Sequence, residues 1–315
     1  MPPKLDVVIV NWNAGDYLYE CVSSIKKAIN KNFILSNVFI VDNASIDSSL
    51  EKIDINELPI KIIKNTKNIG FAKASNQGAK GSDADYLLML NPDTQLYENS
   101  LSVPIEFMEK EENKNIGIIG IQILNDKNEI SRNCARFPTP ITLIYRSLGI
   151  DKLFPNIVSG HFISEWDHKK NRIVDQVMGS FYLIRRKLFE DLEGYDERFF
   201  VYYEDLDLAL RARKKAYFSY YLADAHIYHK GGGVTKNVKA KRMFFNLQSK
   251  ILFVQKHFNY RSFIIVSFVV LMLEPIARIF GAVLTGSFHT ISEIFKAYRE
   301  LYKSIFFNKF LKKSA

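Results

Sequence analysis

Cysteine is almost absent from this chain of 315 residues. Cys21 and Cys134 stand far apart, which excludes a disulfide framework and offers no metal-ligand spacing; the usage fits a reducing cytoplasm. The opening Met1-Pro2-Pro3-Lys4 leads straight into an apolar segment, without the pattern of a signal peptide. No Gly-x-Gly-x-x-Gly opens the first helical pattern, which argues against a dinucleotide-binding site. No Gly-x-x-x-x-Gly-Lys-Ser/Thr is present, which argues against a P-loop. Disorder is excluded by a hydrophobic fraction of 47% with charges of both signs, in a chain long enough for one large domain or a domain with an appendage.

What is present centres on Tyr86-Leu87-Leu88-Met89-Leu90-Asn91-Pro92-Asp93. The apolar run is continuous rather than alternating, so it reads as a strand buried on both faces. Pro92 lacks an N–H and pushes Asn91 to an extended shape, so the strand ends there and leaves the Asp93 carboxylate at its C-terminal end. In open α/β sheets ligands bind at that edge, and one or two carboxylates with phosphate oxygens suffice for Mg²⁺. A plain Pro-Asp turn would produce the same residues.

Around this strand the pattern alternates. Strands are expected at 5–10, 38–41, 60–63 and 86–90, with helices at about 17–30 and 71–81 and a short helical start at 45–49. Alternation of this kind gives a parallel, doubly wound sheet with right-handed connections. A helix at 100–113 tolerates Pro104 in its first turn, and a strand follows at 116–120. Residues 132–175, with Pro138, Pro140 and Pro155, read as irregular loops in which Arg132 and Arg136 could meet an anion. Order resumes with a strand at 177–184, where Gly179 allows close approach of a ligand or backbone, and a short helix at 187–192.

Several strand ends carry residues able to do chemistry. Asp42 could take a pyrimidine N–H or a ribose hydroxyl, or simply make an Asx-turn; Trp12 could stack on a base or belong to the core. Glu204, Asp205 and Asp207 fall in the first turn of a helix, where the dipole favours carboxylates. Capping explains Asp207, whereas a carboxylate fixed at a helix start could also serve as a general base. After a strand at 216–223, His226 and His229 precede three glycines, and His229 could swing onto a metal or phosphate.

The net charge of +9 is unevenly spread: residues 259–315 hold eight Lys/Arg against three Glu. Two apolar runs there, 262–273 and 279–292, are each shorter than the roughly 20 residues that span a bilayer, and Glu274-Pro275-Ile276-Ala277-Arg278 separates them. They read as two amphipathic helices lying on an anionic membrane surface, or packing on the protein or a second subunit.

Seven motifs then line up in order: Val-Ile-Val-Asn-Trp-Asn at 8–13, Val-Asp-Asn-Ala-Ser-Ile-Asp-Ser at 41–48, Asn-Ile-Gly-Phe-Ala-Lys-Ala-Ser-Asn-Gln-Gly at 68–78, Leu-Asn-Pro-Asp at 90–93, Gly-Ser-Phe-Tyr-Leu-Ile-Arg-Arg at 179–186, Tyr-Glu-Asp-Leu-Asp-Leu at 203–208 and His-Lys-Gly-Gly-Gly at 229–233. Over residues 5–235 the chain resembles family 2 glycosyltransferases of the GT-A fold, and within them the rhamnosyltransferase-like branch. The resemblance implies an α/β fold with a Rossmann-like mixed sheet, a GT-A catalytic domain over 1–258, and a C-terminal helical, membrane-associating segment over 259–315. It implies donor binding by Asn11, Trp12, Asp42, Asn68, Asn91 and Gly179, with Asp42 on the nucleobase or ribose. It also implies a Mg²⁺ or Mn²⁺ site at Asp93 and His229, with Asp205 as general base and Glu204 beside it. Asn91 stands where many members have a first metal-binding Asp, so one charge is missing there.

The expected reaction is inverting transfer of a sugar, L-rhamnose from dTDP-rhamnose, onto a hydroxyl of a growing, lipid-linked cell-surface glycan. The expected location is cytoplasmic, peripheral on the inner face of the cell membrane. A UDP-hexose or galactofuranosyl donor, or a non-catalytic nucleotide-sugar-binding protein, is the alternative. A nucleic-acid partner is not expected, because the basic excess lies in an apolar tail and no binding motif is present. Oligomeric state is left open.

Overall fold

The computed structural model describes residues 1–155, 158, 160–163, 165–231 and 238–307. Strand and helix alternate first as β1 (Lys4–Asn11), α1 (Asp16–Ala28), β2 (Ile34–Asp42), β3 (Ile60–Lys64), α2 (Phe71–Ala79) and β4 (Tyr86–Leu90). Then come β5 (Thr94–Leu96), α3 (Ser102–Glu109), β6 (Ile116–Leu124), β7 (Ile130–Ser131), β8 (Cys134–Ala135), α4 (Pro140–Leu148) and α5 (Ile150–Leu153). Next are β9 (Arg172–Val174), β10 (Gln176–Val177), β11 (Phe181–Arg185), α6 (Arg186–Asp191), α7 (Glu204–Lys214), β12 (Phe218–His229) and α8 (Lys239–His257). Two helices, Tyr260–Leu284 and Phe288–Phe307, follow.

The main sheet runs β3-β2-β1-β4-β11-β6-β12-β5. The first four strands are parallel, as the alternation predicts. β11 is antiparallel to both β4 and β6, and β12 is parallel to β6 but antiparallel to β5, so the sheet is mixed. β4 lies between β1 and β11 with all five residues buried, which is why its sequence is apolar without alternation. Its side chains still divide by face: Leu88 and Leu90 join Leu5, Val7 and Ile9 in one core layer, while Leu87 and Met89 join Val8 in the other. Small residues bring α2 close to the sheet. A Cβ on Gly78 would lie 2.5 Å from Val8 Cγ1 and 3.0 Å from Val41 Cγ2.

Four local expectations are corrected. Residues 45–49 form no helix; they are a loop stitched by side chains, because Asp and Ser there bond to nearby backbone instead. Residues 132–175 are not irregular throughout, since Thr139 and Thr142 form a reciprocal cap that starts α4. The strand expected at 177–184 is two strands, β10 and β11, broken at 178–180. β12 extends six residues beyond 223, so His229 ends a paired strand, opposite Thr94, and does not sit on a free loop.

The contacts divide the chain into two compact units: Met1–Phe137 with Phe162–Phe200 and Glu204–Val234, and Pro138–His161 with Val201–Tyr203 and Thr235–Ala315. The sheet belongs to the first. α8, on the catalytic side of a boundary at 258/259, groups here with the second. The second unit is helical, with Leu247, Ile251, Val254, Val266, Val270 and Leu301 in its core. Here the tail expectation changes too. The two apolar runs do not break at 274–278; they join in one 25-residue helix, long and apolar enough to cross a membrane by length and composition, and the break falls after Leu284. Pro275 is tolerated within it because a π-helical turn at Val269–Leu273 precedes it and rearranges the local hydrogen bonds.

Candidate active site

The parallel strands end at one edge of the sheet, and three groups of expected residues assemble there. At the first, β1 and β2 finish side by side with Asn11 opposite Asp42. Asn11 Nδ2 donates to Asp42 Oδ1 at 2.8 Å, to Ser45 Oγ at 3.1 Å and to Ser49 Oγ at 2.8 Å. Asp42 Oδ2 accepts the Ser45 N–H at 3.2 Å, so the Asx-turn is made and the carboxylate is nearly buried. Asn11 Oδ1 is buried without a partner, an acceptor left over at the loop. Trp12, next along the chain from Asn11, is half-buried. Asn68 acts on its own loop: its Oδ1 accepts the Gly70 N–H at 2.9 Å, and the Gly70 carbonyl accepts from Asn43 Nδ2 at 3.1 Å. Gly70 has φ +90°, and a Cβ there would lie 2.6 Å from the Phe200 carbonyl oxygen, so only glycine fits.

At the second group the Asn-Pro-Asp turn leaves β4. Thr94 Oγ1 donates to the Asn91 carbonyl at 2.7 Å, and Asn91 N donates to the Ser180 carbonyl at 3.1 Å, which ties the turn to the start of β11. The Cys21 thiol lies beneath, 3.5 Å from the Asn91 carbonyl, and burial pushes it up to about 12, so it stays a neutral packing group. Asp93 is nearly buried, and its Oδ1 is 3.1 Å from His229 Nε2 across 136 residues of sequence. A carboxylate oxygen and an imidazole nitrogen at this separation are a two-ligand set for a divalent cation that takes its remaining oxygens from a diphosphate and water. Among the described residues no group of three or more His, Cys, Asp or Glu could hold a metal. The set therefore fits an ion shared with a bound ligand and not one caged by protein. Gly232 and Gly233 of the glycine motif lie outside the described residues.

The third group is the start of α7. Tyr202 and Tyr203, with φ of 69° and 70°, take the chain through two successive left-handed residues just before Glu204. Asp205 Oδ1 accepts the Leu206 N–H at 2.7 Å, Oδ2 accepts the Gly179 N–H at 3.1 Å, and the Gln176 side chain bonds the same carboxylate. Gly179 thus clamps Asp205; a Cβ on it would meet Asp205 Oδ2 at an ordinary 3.6 Å, so the protein's own packing does not demand glycine there. Burial raises the Asp205 carboxyl above the usual range, and the bonds from Leu206, Gln176 and Gly179 oppose it. Burial, then the charge of Asp205, pushes Glu204 much higher, and its Oε2 is buried without a partner. Asp205 is the member equipped to ionise, and Glu204 the one that keeps its proton. Asp207 is fully buried and paired within α7 with Arg211 at 2.7 Å, and Arg211 ties the helix to the Leu192 and Gly194 carbonyls. Arg136 is paired with Glu165, and Arg132 is exposed.

Gln176 and Thr94 escaped the sequence reading. Each is a polar residue at a buried position beside a functional one, and a polar residue inside a short apolar strand pattern was the available signal.

Comparison with known proteins gives the family and the fold. The model of the family "Glycosyl transferase family 2" matches residues 6–193. An N-acetylglucosaminyl-diphospho-decaprenol L-rhamnosyltransferase of Mycobacterium tuberculosis is 24% identical over 266 residues, 81% of this chain and 85% of that protein. The rhamnosyltransferase WbbL of Escherichia coli is 26% identical over 178 residues, 56% of this chain and 63% of that protein. Among solved structures, the mannosyltransferase PcManGT from Pyrobaculum calidifontis, in complex with GDP-Man and Mn²⁺, superposes with a TM-score of 0.58 at 13% identity, covering 98% of this chain and 89% of that one. The fold is GT-A, a nucleotide-sugar transferase architecture. The chain belongs to glycosyl transferase family 2, among relatives that include rhamnosyltransferases, and is a glycosyltransferase.

Proposed function

We propose that this glycosyltransferase moves L-rhamnose from dTDP-rhamnose onto a hydroxyl of a lipid-linked glycan, with inversion at the anomeric carbon. The observation that carries this reading is the Asp205 carboxylate, fixed by the Gly179 and Leu206 N–H groups at the sheet edge where Asp93 and His229 also meet. Asp205 removes the proton of the acceptor hydroxyl as its oxygen bonds to the anomeric carbon. The bond from that carbon to the β-phosphate oxygen breaks, and its electron pair leaves with the nucleoside diphosphate. Asp93 and His229 would hold Mg²⁺ or Mn²⁺, which supplies positive charge to the leaving diphosphate. Asp42, with Asn11, Trp12 and Asn68 around it, would receive the nucleoside, and Asn91 and Gly179 would border the sugar. In this reading 1–258 holds all the transfer machinery, and 259–315 brings it to the inner face of the membrane, where a lipid-linked acceptor is presented.

Calorimetry tests the donor. dTDP-rhamnose and a UDP-hexose are titrated side by side, with and without Mn²⁺. Metal-dependent binding of dTDP-rhamnose alone is expected. Preference for the UDP-sugar would move the donor to that class and leave the mechanism intact; binding of neither would favour a non-catalytic role. Asp205→Asn is expected to keep donor affinity and lose about 10²–10⁴-fold in transfer rate. Near-normal turnover would remove Asp205 from the role of base.

A further inference from the structure

Tyr202 and Tyr203 are the two residues before Glu204, and both are left-handed, with φ of 69° and 70°. A bulky side chain seldom adopts this conformation, because its Cβ crowds the following carbonyl oxygen. Two in succession persist only where surrounding contacts over-determine them. The same segment is out of step with its neighbours in the chain. The stretches ending at Phe200 and beginning at Glu204 group with the sheet unit, whereas Val201–Tyr203 groups with the helical unit.

The contacts that hold the segment come from one face of α8. Ser249 Oγ donates to the Val201 carbonyl at 2.9 Å, and the Tyr203 ring packs on Phe253 with centroids 5.6 Å apart. A serine inside a helix ordinarily bonds a carbonyl one turn back on its own helix; Ser249 instead reaches 48 residues back along the chain. Ser249 and Phe253 are four residues apart on α8, so their side chains stand one turn above the other and meet the first and last residues of the segment. Ser249, Phe253 and Tyr203 are all buried. The rotation of α8 is fixed in turn within the helical unit. Phe253 also packs on His257 and Phe258, and Lys250, next to Ser249, is buried in its bonds to Ser147 and Glu274.

We infer that Ser249 and Phe253 are positioning residues for Asp205. They hold Val201–Tyr203 in its left-handed form, and the Tyr203–Glu204 peptide bond passes that geometry to the start of α7. Asp205 is the second residue of α7, and its carboxylate depends on how the helix begins. Oδ1 accepts the Leu206 N–H and Oδ2 the Gly179 N–H. Successive helical residues point about 100° apart, so a start displaced by one residue would turn the carboxylate away from Gly179. The inference rests on Asp205 as the base proposed above. The first readout of its test involves no transfer, so the two readings fail separately.

The test is amide hydrogen exchange of the full chain, read at Leu206 and Gly179, whose N–H groups bond to Asp205. Ser249→Ala is expected to speed exchange at both by about tenfold, with the amides of β1 and β4 as protected as before. Phe253→Leu, which keeps an apolar side chain and removes the ring beside Tyr203, should act in the same direction. Adding Tyr202→Gly to Ser249→Ala should restore most of the protection, because glycine takes a positive φ without steric cost. A serine that served general stability alone would gain nothing from an added glycine. In transfer from dTDP-rhamnose, with native membranes as the source of acceptor, Ser249→Ala should lower kcat by about tenfold and leave donor KM unchanged. Unchanged exchange at Leu206 and Gly179 would overturn the inference. So would faster exchange spread equally over β1 and β4, or no rescue by Tyr202→Gly. Faster exchange at the two amides with a normal kcat would uphold the positioning and remove Asp205 from the role of base.

Discussion

Glu204 and Asp205 carry the same functional group on adjacent residues, and their surroundings separate them. Glu204 is buried with Oε2 unpartnered, whereas Asp205 receives N–H groups from Leu206 and Gly179 and a bond from Gln176. Titratable groups beside Asp205 include Glu204 and Asp207 on its own helix, Tyr182 and Tyr195, both kept neutral by burial, and Arg211. Among these, Gln176 acts on the proposed base, Asp205, without being charged itself. Its donor favours the ionised form of Asp205, so its removal raises the Asp205 pKa further. In the proposed mechanism the base must be ionised, so activity is expected to fall as pH drops through that pKa. Gln176→Leu is therefore expected to move the acid limb of kcat/KM upward by about one to two pH units, with donor KM unchanged. A pH profile that only drops in height, with its limb in place, would reduce Gln176 to a packing role. The sequence displayed three acids at one helix start, with Asp207 read as a cap, and only the family resemblance singled out Asp205 as the base with Glu204 beside it. Positions 204, 205 and 207 point in different directions around a helix; Asp207 pairs with Arg211 one turn along the same helix, and only the tertiary structure decides that the pair is buried, with Arg211 also bonded to the Leu192 and Gly194 carbonyls.

At the scale of elements, the parallel half of the sheet was legible because a strand buried on both faces can only be written as an apolar run, as in β1 and β4. The antiparallel half was not. β11 is an apolar run like β4 up to Arg185, and nothing in its five residues states that it inserts between β4 and β6 in the opposite direction. His229 was misread for a related reason: the strand β12 is held to its end by pairing with β5, a contact about 130 residues away in sequence. Two glycines test how elements pack. Gly78→Ala should destabilise by about 1–3 kcal/mol, because the new methyl would enter Val8 and Val41. Gly281→Ala, inside the 260–284 helix with nothing within 4 Å, should stabilise by about 0.5–1 kcal/mol through helix propensity. Thermal melting should shift in opposite directions for the two; shifts of the same sign would contradict the packing given for α2.

At the scale of the whole molecule, one buried ion cluster stands out in the helical unit. Lys250 and Glu274 are both removed from water and meet at 2.8 Å. Deleting one partner leaves the other charge buried. Glu274→Ala should therefore cost about 3–5 kcal/mol, while Lys250→Met with Glu274→Leu should recover most of it, and a double-mutant cycle by denaturant unfolding measures the difference. Losses in the Lys250→Met and Glu274→Leu single variants that add up to the loss in the double variant would show that the pair does not act as a unit. By itself the amino-acid sequence determined the α/β class, the family, the strand ends that carry Asp42 and Asp93, the acids at 204–207 and the basic, apolar tail. These are local signals: an apolar run, a proline stop, a helix start and an ordered set of motifs. Only the tertiary structure decided that His229 reaches Asp93, that Gly179 and Gln176 hold Asp205, and that two apolar runs join into one helix around a buried Glu274. Each of those depends on residues far apart in the chain meeting in space, and their partners leave no mark on the local pattern from which a sequence is read.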